Sequence, residues 1–179
     1  MRTQLRIALV ALAFLFVQTS GYTQTPDLIG TVISGTPQDV QAAIDSGAKV
    51  NVQDDTGTTP LIAAAQYNQA AIPILLRAGA DVNAHETQRG ETALSVVAYY
   101  GGTPELVTTL LGAGANIKAQ DNFGDTALMA AVMYNPNPEV VKTLLKASAD
   151  INAQDKSGMT PLMWAAKSSN SNVVLIFPV

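Results

Sequence analysis

The only histidine of the chain, His85, is followed directly by Glu86 and Thr87. These are the residue types of a base, a carboxylate partner and a hydroxyl nucleophile, which an enzyme must hold together in a pocket. Their segment, Ala84 to Gly90, reads instead as a solvated hairpin tip. Two acidic segments, Asp54-Asp55 and Asp121 to Asp125, offer oxygens to a cation. A calcium loop needs about six such oxygens at fixed spacing and a closing Glu. Neither segment has that pattern, so both are expected to be exposed hairpin acids. Cysteine is absent, which removes thiolate metal sites, disulfides and a Cys nucleophile. No Gly-rich phosphate loop is present. The reading is a non-enzyme, with no catalytic residue, no metal and no cofactor.

Charge narrows the partners. Only 13% of the 179 residues are charged and the formal net charge is −4. A nucleic-acid binder carries a basic face, so nucleic acid is not the expected partner. Hydrophobic residues make up 47%, enough to bury a core and to exclude a disordered chain.

The N-terminus reads as a leader. Arg2 and Arg6 precede Ile7 to Val17, an unbroken apolar run of 11 residues, and Gln18-Thr19-Ser20-Gly21 follows. That order is the signature of a secretory signal peptide, and the run is shorter than the ~20 residues that span a membrane. The expected division is a signal peptide at 1–21, a linker at 22–26 and a folded domain at 27–179. Membrane contact is then expected only through an uncleaved leader. Without Arg2 and Arg6 the mature chain has eight basic and fourteen acidic residues, net −6. Export to the periplasm or beyond also fits a chain with no thiol to mispair.

The rest is periodic. Gly57-Thr-Thr-Pro-Leu-Ile-Ala-Ala-Ala65 returns at Gly90 to Ala98, Gly124 to Val132 and Gly158 to Ala166. Its threonines, Thr59, Thr92, Thr126 and Thr160, are spaced by 33, 34 and 34 residues. A second motif interleaves: Leu75-Leu-Arg-Ala-Gly-Ala-Asp-Val-Asn83, with counterparts at Ala43 to Asn51, Leu110 to Lys118 and Leu144 to Asn152. Two motifs on one period mark a repeat array.

Each unit reads as helix, turn, helix, hairpin. Thr59 and Thr160 cap a first helix, with Pro60 and Pro161 at its first position. Thr36-Pro37, Thr103-Pro104 and Asn137-Pro138 open second helices. Gly47, Gly79 and Gly114 end them in the left-handed region. Leu61, Leu94, Leu128 and Leu162 are expected to point into the stack. Pro73 should delay or kink the second helix of its repeat.

These motifs resemble the ankyrin repeat, from about Asp27 to Val179. The resemblance implies an all-α solenoid of stacked helix-turn-helix units joined by hairpin-like loops. The repeats are expected at 27–53, 54–86, 87–120, 121–154 and a truncated 155–179. The Asn/Thr-Pro-Glu opening of the second helices looks like a variant common in bacterial ankyrin proteins. The His that often follows Thr-Pro-Leu is replaced by Ile62, Ser95, Met129 and Met163. Apolar packing is expected to substitute for the polar ties that His makes between repeats. Ser148 stands where Gly is expected, and Lys118 where Asn is expected.

The resemblance also implies a binding surface for another protein, made of hairpin tips and first helices. Tyr67, Tyr100 and Tyr134 recur at one equivalent position, as an aromatic ladder or as packing between repeats. Tyr99 and Met133 are their neighbours in the same variable pair. At the tips, Arg89 and the apolar Phe123 are contact candidates. Trp164 reads as a packing residue first and an interface residue second. The apolar run Val173 to Phe177 points to a second outcome, homo-association through the C-terminal end, or else to a truncated gene end.

Overall fold

The computed structural model describes residues 26–168 and 176–177. The expected leader, its cut site and the second helix expected from Asn172 lie outside the described residues. Among the described residues there are nine α-helices: α1 (Leu28–Ser34), α2 (Pro37–Asp45), α3 (Pro60–Tyr67), α4 (Ile72–Arg77), α5 (Ala93–Tyr99), α6 (Pro104–Gly112), α7 (Ala127–Tyr134), α8 (Pro138–Lys146) and α9 (Pro161–Lys167). None of them is long and apolar enough to cross a membrane.

Capping sets the starts. The hydroxyls of Thr59, Thr92, Thr126 and Thr160 accept from the amides of Ile62, Ser95, Met129 and Met163. Such a cap contributes about 1 kcal/mol. Thr36, Thr103 and Asn137 do the same for α2, α6 and α8. Pro73 has the expected effect: a 3₁₀ turn, Gln69–Ala71, precedes α4, which is only six residues long.

The ends of the second helices follow the glycines. Gly47, Gly79 and Gly114 have φ of +91°, +85° and +90°. Ser148 takes the same left-handed turn at φ +67°, the only non-glycine among the described residues to do so.

A single helix pair cannot bury its own apolar face, so the core lies between pairs. Leu61, Leu94 and Leu128 are each 1% exposed, and Ala63, Ala64 and Ala65 are buried beside them. Side chains as small as Ala let neighbouring first helices approach closely. Leu162 departs from the expectation. It is 45% exposed and Met163 is 50% exposed, although their counterparts Leu128 and Met129 are fully buried. Among the described residues, no further helix pair follows α9 to cover them. Ile176 and Phe177 of the apolar run pack on the core.

Apolar side chains do pack at two of the positions where the family's His is expected, and polar ties between repeats are present as well, at other positions. Ile62 and Met129 are indeed buried, but asparagines supply the ties. The Asn68 amide donates to the carbonyls of Val32 and Gly35, and that of Asn135 to Ala98 and Gly102. Asn51 donates to Gly79 and accepts from the Asp81 amide, and Asn83 does the same with Gly114 and Asn116. The aliphatic stem of Lys118 offers no such carbonyl or amide, so this second ladder stops there. Between hairpins, the backbone amides of Thr87, Asn122 and Lys156 donate to Thr56, Arg89 and Phe123 of the preceding repeat.

Candidate functional site: an aromatic and acidic face

The hairpin tips are built around acids. One carboxylate oxygen of Asp54 accepts from the amides of Thr56 and Thr58, Asp121 from Phe123 and Asp125, and Asp155 from Ser157 and Met159. Glu86 takes this place in the second hairpin, that of Gly90. It is 8% exposed and accepts from the amides of Gln88, Arg89 and Glu91. The expectation of a solvated tip thus holds for His85, which is exposed, and fails for Glu86. Its longer chain reaches back under the turn to the same amides that Asp reaches elsewhere.

The period places four columns on the hairpin side of the first helices. Thr56, Arg89, Phe123 and Ser157 precede the turn glycines, and Thr58, Glu91, Asp125 and Met159 follow them. Gln66, Tyr99, Met133 and Lys167 form a third column, and Tyr67, Tyr100, Tyr134 and Ser168 a fourth.

The rings form a network rather than a simple ladder. Tyr67, Tyr100 and Tyr134 are 58%, 42% and 52% exposed. Tyr99, half-buried against the core, joins them: its ring centroid lies 4.7 Å from that of Tyr100 and 4.3 Å from that of Tyr134. Tyr67 makes no ring contact among the described residues. Its neighbour Gln66 makes the link instead, donating to the Tyr100 hydroxyl at 3.0 Å. Tilted ring pairs at such distances gain attraction beyond area burial. Burial, aided by the nearby Glu91, pushes the Tyr100 phenol above its ordinary range.

Arg89 binds this network to the tips. Its guanidinium pairs with Glu91 at 3.3 Å and lies 5.6 Å from the Tyr99 ring centroid and 6.0 Å from that of Phe123. Phe123 is 55% exposed, as a contact residue requires. Met133 is half-buried between Val132 and the exposed Tyr134. Trp164 packs on the core as expected and donates its indole N–H to Asp155 at 2.9 Å.

Asp125 was expected to be a solvated hairpin acid, and the structure corrects this. It is half-buried, and its Oδ1 is buried with no hydrogen-bond partner. Burial, with Asp121 and Asp155 nearby, raises its pKa to about 6.

A groove of about 530 Å³ lies between the hairpins, lined by Asn83, His85, Thr92, Asn116, Gln120 and Asn122 among others. Its Asn83, Gln120 and Asn122 amides donate to backbone carbonyls of neighbouring hairpins, and Gln120 also donates to Gly124 of its own hairpin. These side chains hold the array together. Among the described residues, no group of three or more His, Asp or Glu is placed to hold a metal ion.

The family model described as ankyrin repeats (3 copies) matches residues 28–121 and again 94–177. The chain belongs to the ankyrin-repeat family. No curated relative matches it. Ankyrin repeats are generic protein–protein interaction modules and not enzymes, and the all-α repeat fold is the one the sequence implied. The sequence reading named Tyr67, Tyr99, Tyr100, Met133, Tyr134, Arg89 and Phe123. The structure joins Arg89, Tyr99, Tyr100, Phe123 and Tyr134 through contacts and leaves Tyr67 at the edge. The reading took Asp125 only as a solvated hairpin acid and did not name Gln66 or Glu91 as contact residues. The signal was there in the period, since Glu91 and Asp125 each follow a turn glycine one repeat apart.

Proposed function

We propose that the chain is an exported, non-catalytic module that binds a protein partner on the concave face and hairpin tips. The face consists of Arg89, Tyr99, Tyr100, Phe123, Met133 and Tyr134, with Tyr67 at its edge. The observation that carries this reading is the exposure of Tyr67, Tyr100 and Tyr134 on three successive repeats, the last two joined through the ring of Tyr99. Tyr and Arg are the side chains that dominate binding energy at protein interfaces. Exposed aromatic patches on soluble domains mark interaction surfaces.

Affinity capture from a periplasmic extract tests it. A specific protein should be retained by the native chain and lost with Tyr100→Ala and Tyr134→Ala together, at unchanged helix content. Equal capture by the double variant would remove the face from the reading. Export is tested separately, by N-terminal sequencing of the mature protein, which should begin near Tyr22. Retention of Met1 in a membrane fraction would overturn cleavage.

A second reading, self-association through the C-terminal end, is favoured by the exposure of Leu162 and Met163. Light scattering on the native chain and on a Leu162→Glu, Met163→Glu variant decides it. Identical monomers would remove this reading.

A further inference from the structure

The repeat period relates two carboxylates on this face. Glu91 follows Gly90 and Asp125 follows Gly124, one repeat on. Glu91 has its cation: Arg89, two residues before it, pairs with it and lies over two aromatic rings. In the repeat of Asp125, the position of Arg89 is taken by Phe123. Among the described residues Asp125 has no salt bridge, and its buried Oδ1 has no donor. The chain thus repeats the carboxylate and leaves out the cation, with Met133 and Ser157 in the places that Tyr99 and Phe123 take around Arg89.

Resting on the proposed protein-binding face, we propose that its partner is a basic peptide segment whose Lys or Arg pairs with Asp125 beside Phe123. The seat of Arg89 between Glu91, Tyr99 and Phe123 shows the kind of group this surface takes. Charge complementarity supports the same occupant. In the hairpins that carry them, Glu86, Glu91, Asp121, Asp125 and Asp155 stand against Arg89, Lys118 and Lys156, with Lys167 near Asp155. An ionised pair flanked by aromatic rings is stronger than one in open water, because both the charge-assisted bond and the cation–π attraction gain from exclusion of solvent.

Fluorescence anisotropy on the full chain tests the occupant. The probes are labelled nonapeptides alternating Leu with Arg, Leu with Gln, or Leu with Glu. The Arg peptide should bind about tenfold or more tightly than the Gln peptide at ~0.1 M salt. Asp125→Asn should weaken it by about tenfold. Asp55→Asn, at an exposed tip, should leave it unchanged and so controls for net charge. Phe123→Arg should also weaken it, because the chain then supplies its own cation. Asp125, faced by Asp121, Asp155 and Arg89, should make binding of the Arg peptide weaken as pH falls through about 6.

Equal binding of the Gln or Glu peptide, no binding of the Arg peptide, or no response to Asp125→Asn overturns the basic occupant. Tyr99→Ala and Tyr134→Ala separate this from the broader reading. If they abolish binding of every peptide alike, with no charge preference, the aromatic face stands and the basic occupant falls. Charge-dependent binding that ignores both tyrosines overturns the face itself.

Discussion

The ring of Tyr134 stacks on Tyr99 of the preceding repeat, centroids 4.3 Å apart, rather than on its own counterpart Tyr100. A column of equivalent tyrosines would leave each ring one repeat from the next. The stacking comes instead from the extra tyrosine of the third repeat. Tyr99 sits half-buried where its column otherwise has Gln66 and Met133, and it bridges Tyr100 and Tyr134.

Tyr99→Ala should therefore lower stability by about 2 kcal/mol, since it removes a half-buried ring and its two ring contacts. Tyr67→Ala should change stability by less than about 0.5 kcal/mol, as expected for an exposed side chain without such contacts. Urea unfolding followed by circular dichroism measures both. Equal losses would mean that Tyr67 packs as well.

Asn135 is 1% exposed, donates to two carbonyls of the preceding repeat and accepts from the Asn137 amide. Its replacement by Ala should cost about 2–3 kcal/mol, because buried carbonyls lose their donor. Asn152→Ala is the comparison. It is exposed, and its side chain makes no tie to another repeat among the described residues. Its loss should stay below about 0.5 kcal/mol in the same urea titration.

Ser148 holds a left-handed turn that glycine adopts without a Cβ clash. Ser148→Gly should stabilise the chain by about 0.5–1 kcal/mol, the relief of backbone strain partly offset by a freer unfolded chain. A rise of a few degrees in Tm, on the order of 2–5 °C, is the expected calorimetric result.

Asp125 gives a pH dependence of definite sign. Its folded pKa, about 6, lies above the ordinary 3.8, so the folded state holds the proton more tightly. Its contribution is fully present below about pH 4 and is lost as pH rises through about 6. Partial exposure limits the effect to about 1 kcal/mol. Asp125→Asn should remove this part of the pH profile and stabilise the chain at pH 7 by about that amount. Thermal melts between pH 4 and 8 measure it, and a native profile that rises from pH 4 to 6 to the same extent in both proteins would contradict the assignment.

The sequence by itself determined the repeat, its caps and its turns, because these depend on residues close in the chain. Thr-Pro starts a helix through a hydroxyl three residues from the amide it caps. Gly ends one through its own φ, and the period then forces the leucines of successive units into one core. Even the strained Ser148 was legible, since its place in the period demanded a left-handed residue. The tertiary structure decided which equivalent residues meet across repeats. Leu162 has the sequence of a core residue and is exposed, because among the described residues no further helix pair packs over it. Asn68 and Asn135 tie repeats together through carbonyls more than thirty residues away. Arg89 and Asp125 read locally as tip residues. Whether a charge there is paired or left alone depends on what the neighbouring hairpin brings against it, and no local pattern encodes that.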